Sequence, residues 1–137
     1  MIGGGEKVFL DTNVLVYANV AEAPLHTVAL RAIQIREQAG MELWISCQVL
    51  REYLATLITQ VHSFATRFQV AEDNSQVTQQ LLVLTEQVAL GGKQVHDANL
   101  VATILVYGIP SLLTNNTDDF ARFSGVITVL PLESSPP

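Results

Sequence analysis

A single cysteine, Cys47, stands among the 137 residues. That excludes an internal disulfide and any zinc site built on several thiolates, and leaves the thiol the role of a small buried residue. Positive charge is also scarce: seven Lys and Arg face 13 Asp and Glu, for a formal charge of −6. Taken alone, this balance lacks the basic footprint of a nucleic-acid binder. It decides less if several of the acids are cation ligands, because bound divalent ions would offset them locally. No apolar run approaches the ~18 residues of a membrane span; Leu100–Ile109 is short and interrupted by Thr103. The segment Met1–Lys7 has neither the basic start nor the apolar centre of a secretory signal. A cytoplasmic protein is expected.

What is abundant is apolar surface, at 49% of residues and a mean hydropathy of +0.33. A sheet covered on both faces, a partner over an apolar surface, or both would account for it. The length fits a single domain over 1–137 with its core at about 7–131 and a frayed tail over 132–137. Periodicity predicts strands at Val8–Leu10, Leu43–Ser46, Ser111–Thr114 and Ile127–Leu130. Helices are predicted at Thr12–Asn19, from Pro24 to Gly40, and at Gln48–Thr59, Ser75–Val88 and Asp97–Tyr107, with a helical turn at Asp118–Phe123. His62–Asn74 reads as a short helix and a loop. Alternating strands and helices imply a three-layer α/β/α fold on a parallel sheet of four to five strands.

Polar phrases interrupt this apolar pattern at four junctions. Val8-Phe9-Leu10-Asp11-Thr12-Asn13 is an apolar run that ends on an acid and leads into a helix. It would deliver a carboxylate to the C-terminal edge of the sheet, where open parallel sheets bind ligands. The plainer reading of Asp11 is a helix N-cap, a compatible role. Glu52 shares a helical stripe with Gln48, Thr56 and Thr59, which is also the pattern of a solvated face. Asp97, after His96, opens an apolar helix and is either its cap or part of a pocket; His96 reads as a local hydrogen-bonding residue. Thr114, Asn116, Asp118 and Asp119 lie in a turn whose ordinary explanation is Asn- and Asp-rich loop chemistry. Four acid-bearing junctions that could converge on one edge point to a divalent-metal site.

Taken together and in order, these phrases resemble the PIN domain, and within it the VapC-type ribonuclease toxins of toxin–antitoxin pairs. The likeness runs from Val8 to Pro131 through Asp11-Thr12-Asn13, Gln48-x-x-x-Glu52, His96-Asp97-Ala98 and Thr114-x-Asn116-x-x-Asp119-Phe120. The resemblance implies a metal-dependent endoribonuclease using magnesium or manganese, with an RNA substrate, a cognate antitoxin and a homodimer. It maps the catalytic acids to Asp11, Glu52, Asp97 and Asp119, with Asp11 and Asp97 as direct metal ligands. Asn13, Thr114 and Asn116 become supporting residues. Asn116 stands where many such domains carry an aspartate, and Asp118 falls off the pattern.

The residue types suit that chemistry. Magnesium is a hard cation that takes one or two carboxylates, waters and a substrate phosphate. Clustered carboxylates repel one another until a cation relieves them. Arg51, Lys93 and Arg122 flank the motifs as candidate phosphate contacts, although ordinary surface charge is the commoner meaning of such residues. A phosphorylated receiver domain shares the size and fold class but needs an acidic pair after the first strand and a late Lys, which this chain lacks. A non-catalytic module of the same fold, binding RNA or an antitoxin, is the stronger rival, and Asn116 favours it.

Overall fold

The computed structural model describes residues 5–47 and 67–137. The predicted helix Gln48–Thr59, with Arg51 and Glu52, lies outside these residues. Five strands form one sheet: β1 (Lys7–Leu10), β2 (Glu42–Ser46), β3 (Gln69–Ala71), β4 (Ser111–Leu113) and β5 (Thr128–Leu130). Their order is β3-β2-β1-β4-β5, and every pairing is parallel. Around them lie α1 (Thr12–Asn19), α2 (His26–Gln38), α3 (Ser75–Gln87), α4 (Val95–Val106) and the single turn α5 (Thr117–Phe120).

Side-chain alternation along the strands creates two cores, one on each face of the sheet. Val8, Leu10 and Leu113 pack with Val14 and Leu15 of α1 and Ile33 of α2. Phe9 and Leu112 point the other way, onto Leu84 of α3 and Val101 and Ile104 of α4. With both faces covered, the strands are almost wholly apolar, which accounts for much of the high hydropathy. The predicted three-layer α/β/α arrangement is the observed one.

Beyond one-residue shifts at element ends, three elements differ from the reading of the sequence. β3 occupies part of the segment expected to be helix and loop; as an edge strand of three residues, it is too short to show a period of two. α2 starts at His26, with Pro24 left in the preceding turn. α4 starts at Val95, so Asp97 is in its first turn and Gln94, not Asp97, is the cap residue. Gly40 ends α2 at φ +78, where its amide donates to Glu37 O and the next, Met41, to Arg36 O. That left-handed closure is nearly free of steric cost only for glycine.

The expected frayed tail is partly anchored. Leu132 is buried, and the fully buried Arg36 donates through Nη2 to Ser134 O at 3.1 Å and to Ser134 Oγ at 2.8 Å. Its Nη1 donates to Ala32 O at 3.0 Å. Cys47, expected to be buried, is half-buried at the end of β2.

Topology fixes where a ligand site can lie. β1 is central, β2 and β3 extend to one side, and the chain then crosses to β4 and β5 on the other. The order therefore reverses between β1 and β4. Strands that diverge into connections on opposite sides leave a crevice at their C-terminal ends.

Candidate functional site

Asp11 and Thr114 are the residues that leave β1 and β4 on either side of that crevice. The ladder runs one step into the site, since the Asp11 amide donates to Leu113 O at 3.1 Å and the Thr114 amide to Leu130 O at 3.0 Å. Asp11 is the N-cap of α1, its Oδ1 accepting from the Thr12 amide at 2.8 Å. Its Oδ2 accepts from Thr114 Oγ1 at 2.8 Å and from Asn13 Nδ2 at 3.3 Å. Thr114 is fully buried; its hydroxyl also accepts from the Asn116 amide at 3.0 Å. Asn13 Oδ1 accepts from the Asn115 amide at 3.3 Å, which ties the α1 start to the loop after β4. Capping therefore uses one oxygen of Asp11, and the other accepts from Thr114 and Asn13 inside the crevice.

Asp97 reaches the crevice from the first turn of α4. A carboxylate is welcome there because the helix dipole favours negative charge. Burial nevertheless pushes its carboxyl above the ordinary carboxylate value, and the neighbouring Asp119 pushes it further. Arg122 and His96 act in the opposite direction. Asp119 and Arg122 are thereby close enough to Asp97 to be felt electrostatically, although both are exposed.

Asp11, Asp97, Asn13 and Asn116 line one cleft of about 390 Å³. Asp119 is on an adjoining concavity formed by residues 115–119 and faces Asp97 from the rim. Asp118 is exposed beside it, off the cleft, as the sequence pattern predicts. Lys93 is exposed in the single turn Gly92–Gln94 that leads into α4. Sequence reasoning missed Ser46, which is buried at the C-terminal end of β2 and lines the cleft. Its place as the last residue of a strand was the available signal. His96 also lines the cleft. Val16, Leu100 and Phe120 supply an apolar wall that no motif announced.

The donor set is wholly oxygen-based at Asp11, Asp97 and Asn116, which suits a hard cation better than a soft one. Among the described residues, no three His, Cys, Asp or Glu side chains come together as a metal cluster. Magnesium does not demand three, since it binds through one or two carboxylates and keeps its waters. Two carboxylates lining one cleft, one of them oriented by hydrogen bonds from Thr12, Asn13 and Thr114, fit that requirement.

The family model described as the PIN domain matches residues 8–126. No curated protein matches the sequence. A toxin–antitoxin complex from Klebsiella pneumoniae contains a similar fold, with 21% identity and a TM-score of 0.66 over 94% of this chain and 99% of that one. VapC20 of Mycobacterium tuberculosis, a toxin that cleaves the sarcin–ricin loop, is 16% identical with a TM-score of 0.67 over 94% and 99%. VapBC2 of Rickettsia felis, solved with a promoter DNA fragment, is 17% identical with a TM-score of 0.65 over 91% and 98%.

Proposed function

The chain belongs to the PIN domain family, and from that premise we propose that it is a magnesium- or manganese-dependent endoribonuclease, the toxin of a type II toxin–antitoxin pair. The observation that carries the reading is the meeting of Asp11 and Asp97 in one cleft at the β1–β4 switch point, 86 positions apart in sequence. Structural separation of these two acids would have removed its basis. The similar folds described as toxins or toxin–antitoxin complexes support the biological role.

A bound cation would supply an activated water, a polarised phosphoryl group and stabilisation of the leaving oxygen. Asp11 and Asp97 are the residues that would hold it. Thr114 and Asn13 fix the Asp11 carboxylate so that no rotamer search precedes binding. Asp119 adds negative charge at the rim, and Glu52 belongs to the same proposed set of acids. Arg122, beside Asp97, is suited to meet a phosphate oxygen, with Lys93 and Arg51 as weaker candidates. Asn116 offers a neutral oxygen where an acid would add charge.

The partner side of the proposal has two parts. A cognate antitoxin would bring a basic segment into this acidic cleft and compete with metal or RNA. A homodimer would cover apolar helix surface, of which Leu82 and Val83 on α3 are the most exposed large hydrophobic examples among the described residues. Among the described residues, no helix is long and apolar enough to cross a membrane; the proposed site of action is the cytoplasm.

Purified protein should cleave single-stranded RNA with magnesium or manganese and stop when EDTA is added. Asp97→Asn should abolish cleavage in a folded protein. RNA binding without cleavage under any divalent metal would instead support a non-catalytic module, the reading that Asn116 favours.

A further inference from the structure

Among the described residues, cations are few where a polyanion would need them. Of the seven Lys and Arg, Arg36 is fully buried and Arg67 is committed to Glu37 at 2.7 Å. Lys7 is at the start of β1, at the end of the sheet away from the cleft, with its ammonium 5.6 Å from the Trp44 ring centroid. Arg31 lines a separate groove between α2 and Leu132. Arg51 lies outside the described residues. Arg122 remains, close enough to act on Asp97, with Lys93 exposed in the turn that leads into α4, on a chain of net charge −6. Phosphate contacts ordinarily supply most of the sequence-independent affinity for nucleic acid. Among the described residues, this cleft has little with which to make them.

The cleft wall offers another source of affinity. Among the described residues, five large hydrophobic side chains are exposed, and of these only Val16, at 39%, lines the cleft. It is three residues after Asn13 on α1, a spacing that puts both on one helix face. Leu100 continues the apolar wall from α4, while Asn116 and Ser46 contribute an amide and a hydroxyl to the same cleft. Leu100 is itself buried, so Val16 presents the accessible apolar contact with Leu100 behind it. An apolar contact beside polar groups is what an unstacked nucleobase requires, and a volume of about 390 Å³ is enough to admit one.

We propose that Val16 and Leu100 form a nucleobase subsite beside the carboxylates, so that RNA is selected there by base contact with little phosphate attraction. This rests on the ribonuclease reading of the same cleft. Val16 is a specificity residue in this scheme and takes no part in the chemistry. Its loss should raise KM and erase base preference while leaving kcat and manganese affinity unchanged.

Fluorescence anisotropy of short RNA oligonucleotides, each abasic at one position in turn, tests the subsite by binding, and cleavage of the same panel is followed in parallel. Removing the base at one position should weaken binding about tenfold, and Val16→Ala should weaken the intact oligonucleotide about fivefold to tenfold. The two losses should not add, and Val16→Ile should restore affinity. At fixed manganese, log Kd against log salt should be shallow, with a slope magnitude of about 2 for two or three phosphate contacts on a single strand. Equal binding across the abasic panel, a wild-type Kd in folded Val16→Ala, or a slope magnitude near 5 overturns the subsite. Cleavage with no base dependence defeats the subsite alone; base-dependent binding without cleavage leaves the subsite standing and defeats the ribonuclease. If Val16→Ala leaves RNA binding unchanged and weakens only a protein partner, the wall is a partner contact and the proposal is wrong.

Discussion

Thr114 Oγ1 donates to Asp11 Oδ2 at 2.8 Å, joining the ends of β1 and β4 across 103 positions of sequence. The hydroxyl simultaneously accepts from the Asn116 amide, so one buried oxygen positions an acid and shapes the loop beside it. Thr114→Val keeps the volume but leaves that amide without its acceptor. It should cost about 1–3 kcal/mol in chemical denaturation and about 10- to 100-fold in RNA cleavage. Thr114→Ser should recover most of both. A Val variant with wild-type activity would show that Asp11 needs no such positioning.

Asp11 and Asp97 should respond oppositely to loss of charge. Asp11 accepts three hydrogen bonds, and Asp11→Asn presents an amide NH₂ to two donors. Without metal, its melting temperature should fall, by an amount corresponding to about 1–2 kcal/mol. Asp97 is held in unfavourable burial beside Asp119, so Asp97→Asn should melt at the same or a higher temperature. Both should abolish cleavage. Melts in EDTA and an RNA cleavage assay decide it, and a stability loss in Asp97→Asn would contradict the electrostatic account.

The raised Asp97 carboxyl also makes a pH prediction. Because its folded value exceeds the unfolded one, the native state holds the proton over a window in which the unfolded chain has lost it. Stability from this group therefore falls as pH rises from the ordinary carboxylate value through the raised one, and the loss is complete above it. In metal-free protein, the melting temperature of Asp97→Asn should gain on wild type across that window toward neutral pH. A gap that stays constant or shrinks would reject the raised value. Added manganese should close the gap by stabilising wild type, since a ligand that binds only the native state raises stability by mass action.

Ser134 should matter to stability and not to catalysis. It accepts twice from the buried Arg36, whose guanidinium is pushed below its usual value by burial. Ser134→Ala removes the hydroxyl acceptor and should cost about 1–3 kcal/mol in urea denaturation. RNA cleavage and manganese affinity should be unchanged. A stability cost below the error of such a titration would mean that Arg36 is satisfied without the Ser134 hydroxyl.

Assembly supplies the last prediction. Leu82 and Val83 are 62% and 45% exposed on α3, an apolar area that a second copy would cover. Sedimentation at micromolar concentration should give a dimer, and Leu82→Glu should shift it to monomer with its fold intact by circular dichroism. A monomeric wild type, or a dimer indifferent to Leu82→Glu, would move the interface elsewhere or remove it.

Local chemistry alone determined much of this protein. Apolar runs such as Val8–Leu10, the acid at position 11 and the glycine at position 40 specified strands, caps and helix ends, because hydrogen bonding and steric freedom act over a few residues. Alternation of strand and helix then implied a parallel sheet covered on both faces. What short-range rules could not reach was β3, three residues long, whose strand character comes from pairing with β2. The sequence places Asp97 at the opening of its helix, yet α4 begins two residues earlier, running on from the Gly92–Gln94 turn without a side-chain cap. The cleft itself was decided by tertiary structure. Asp11, Ser46, Asp97 and Asn116 become neighbours only because strand order reverses between β1 and β4, and Val16 becomes a cleft wall only when α4 lies opposite α1. No periodicity encodes which elements will face each other; that choice is made by burying both faces of the sheet at once.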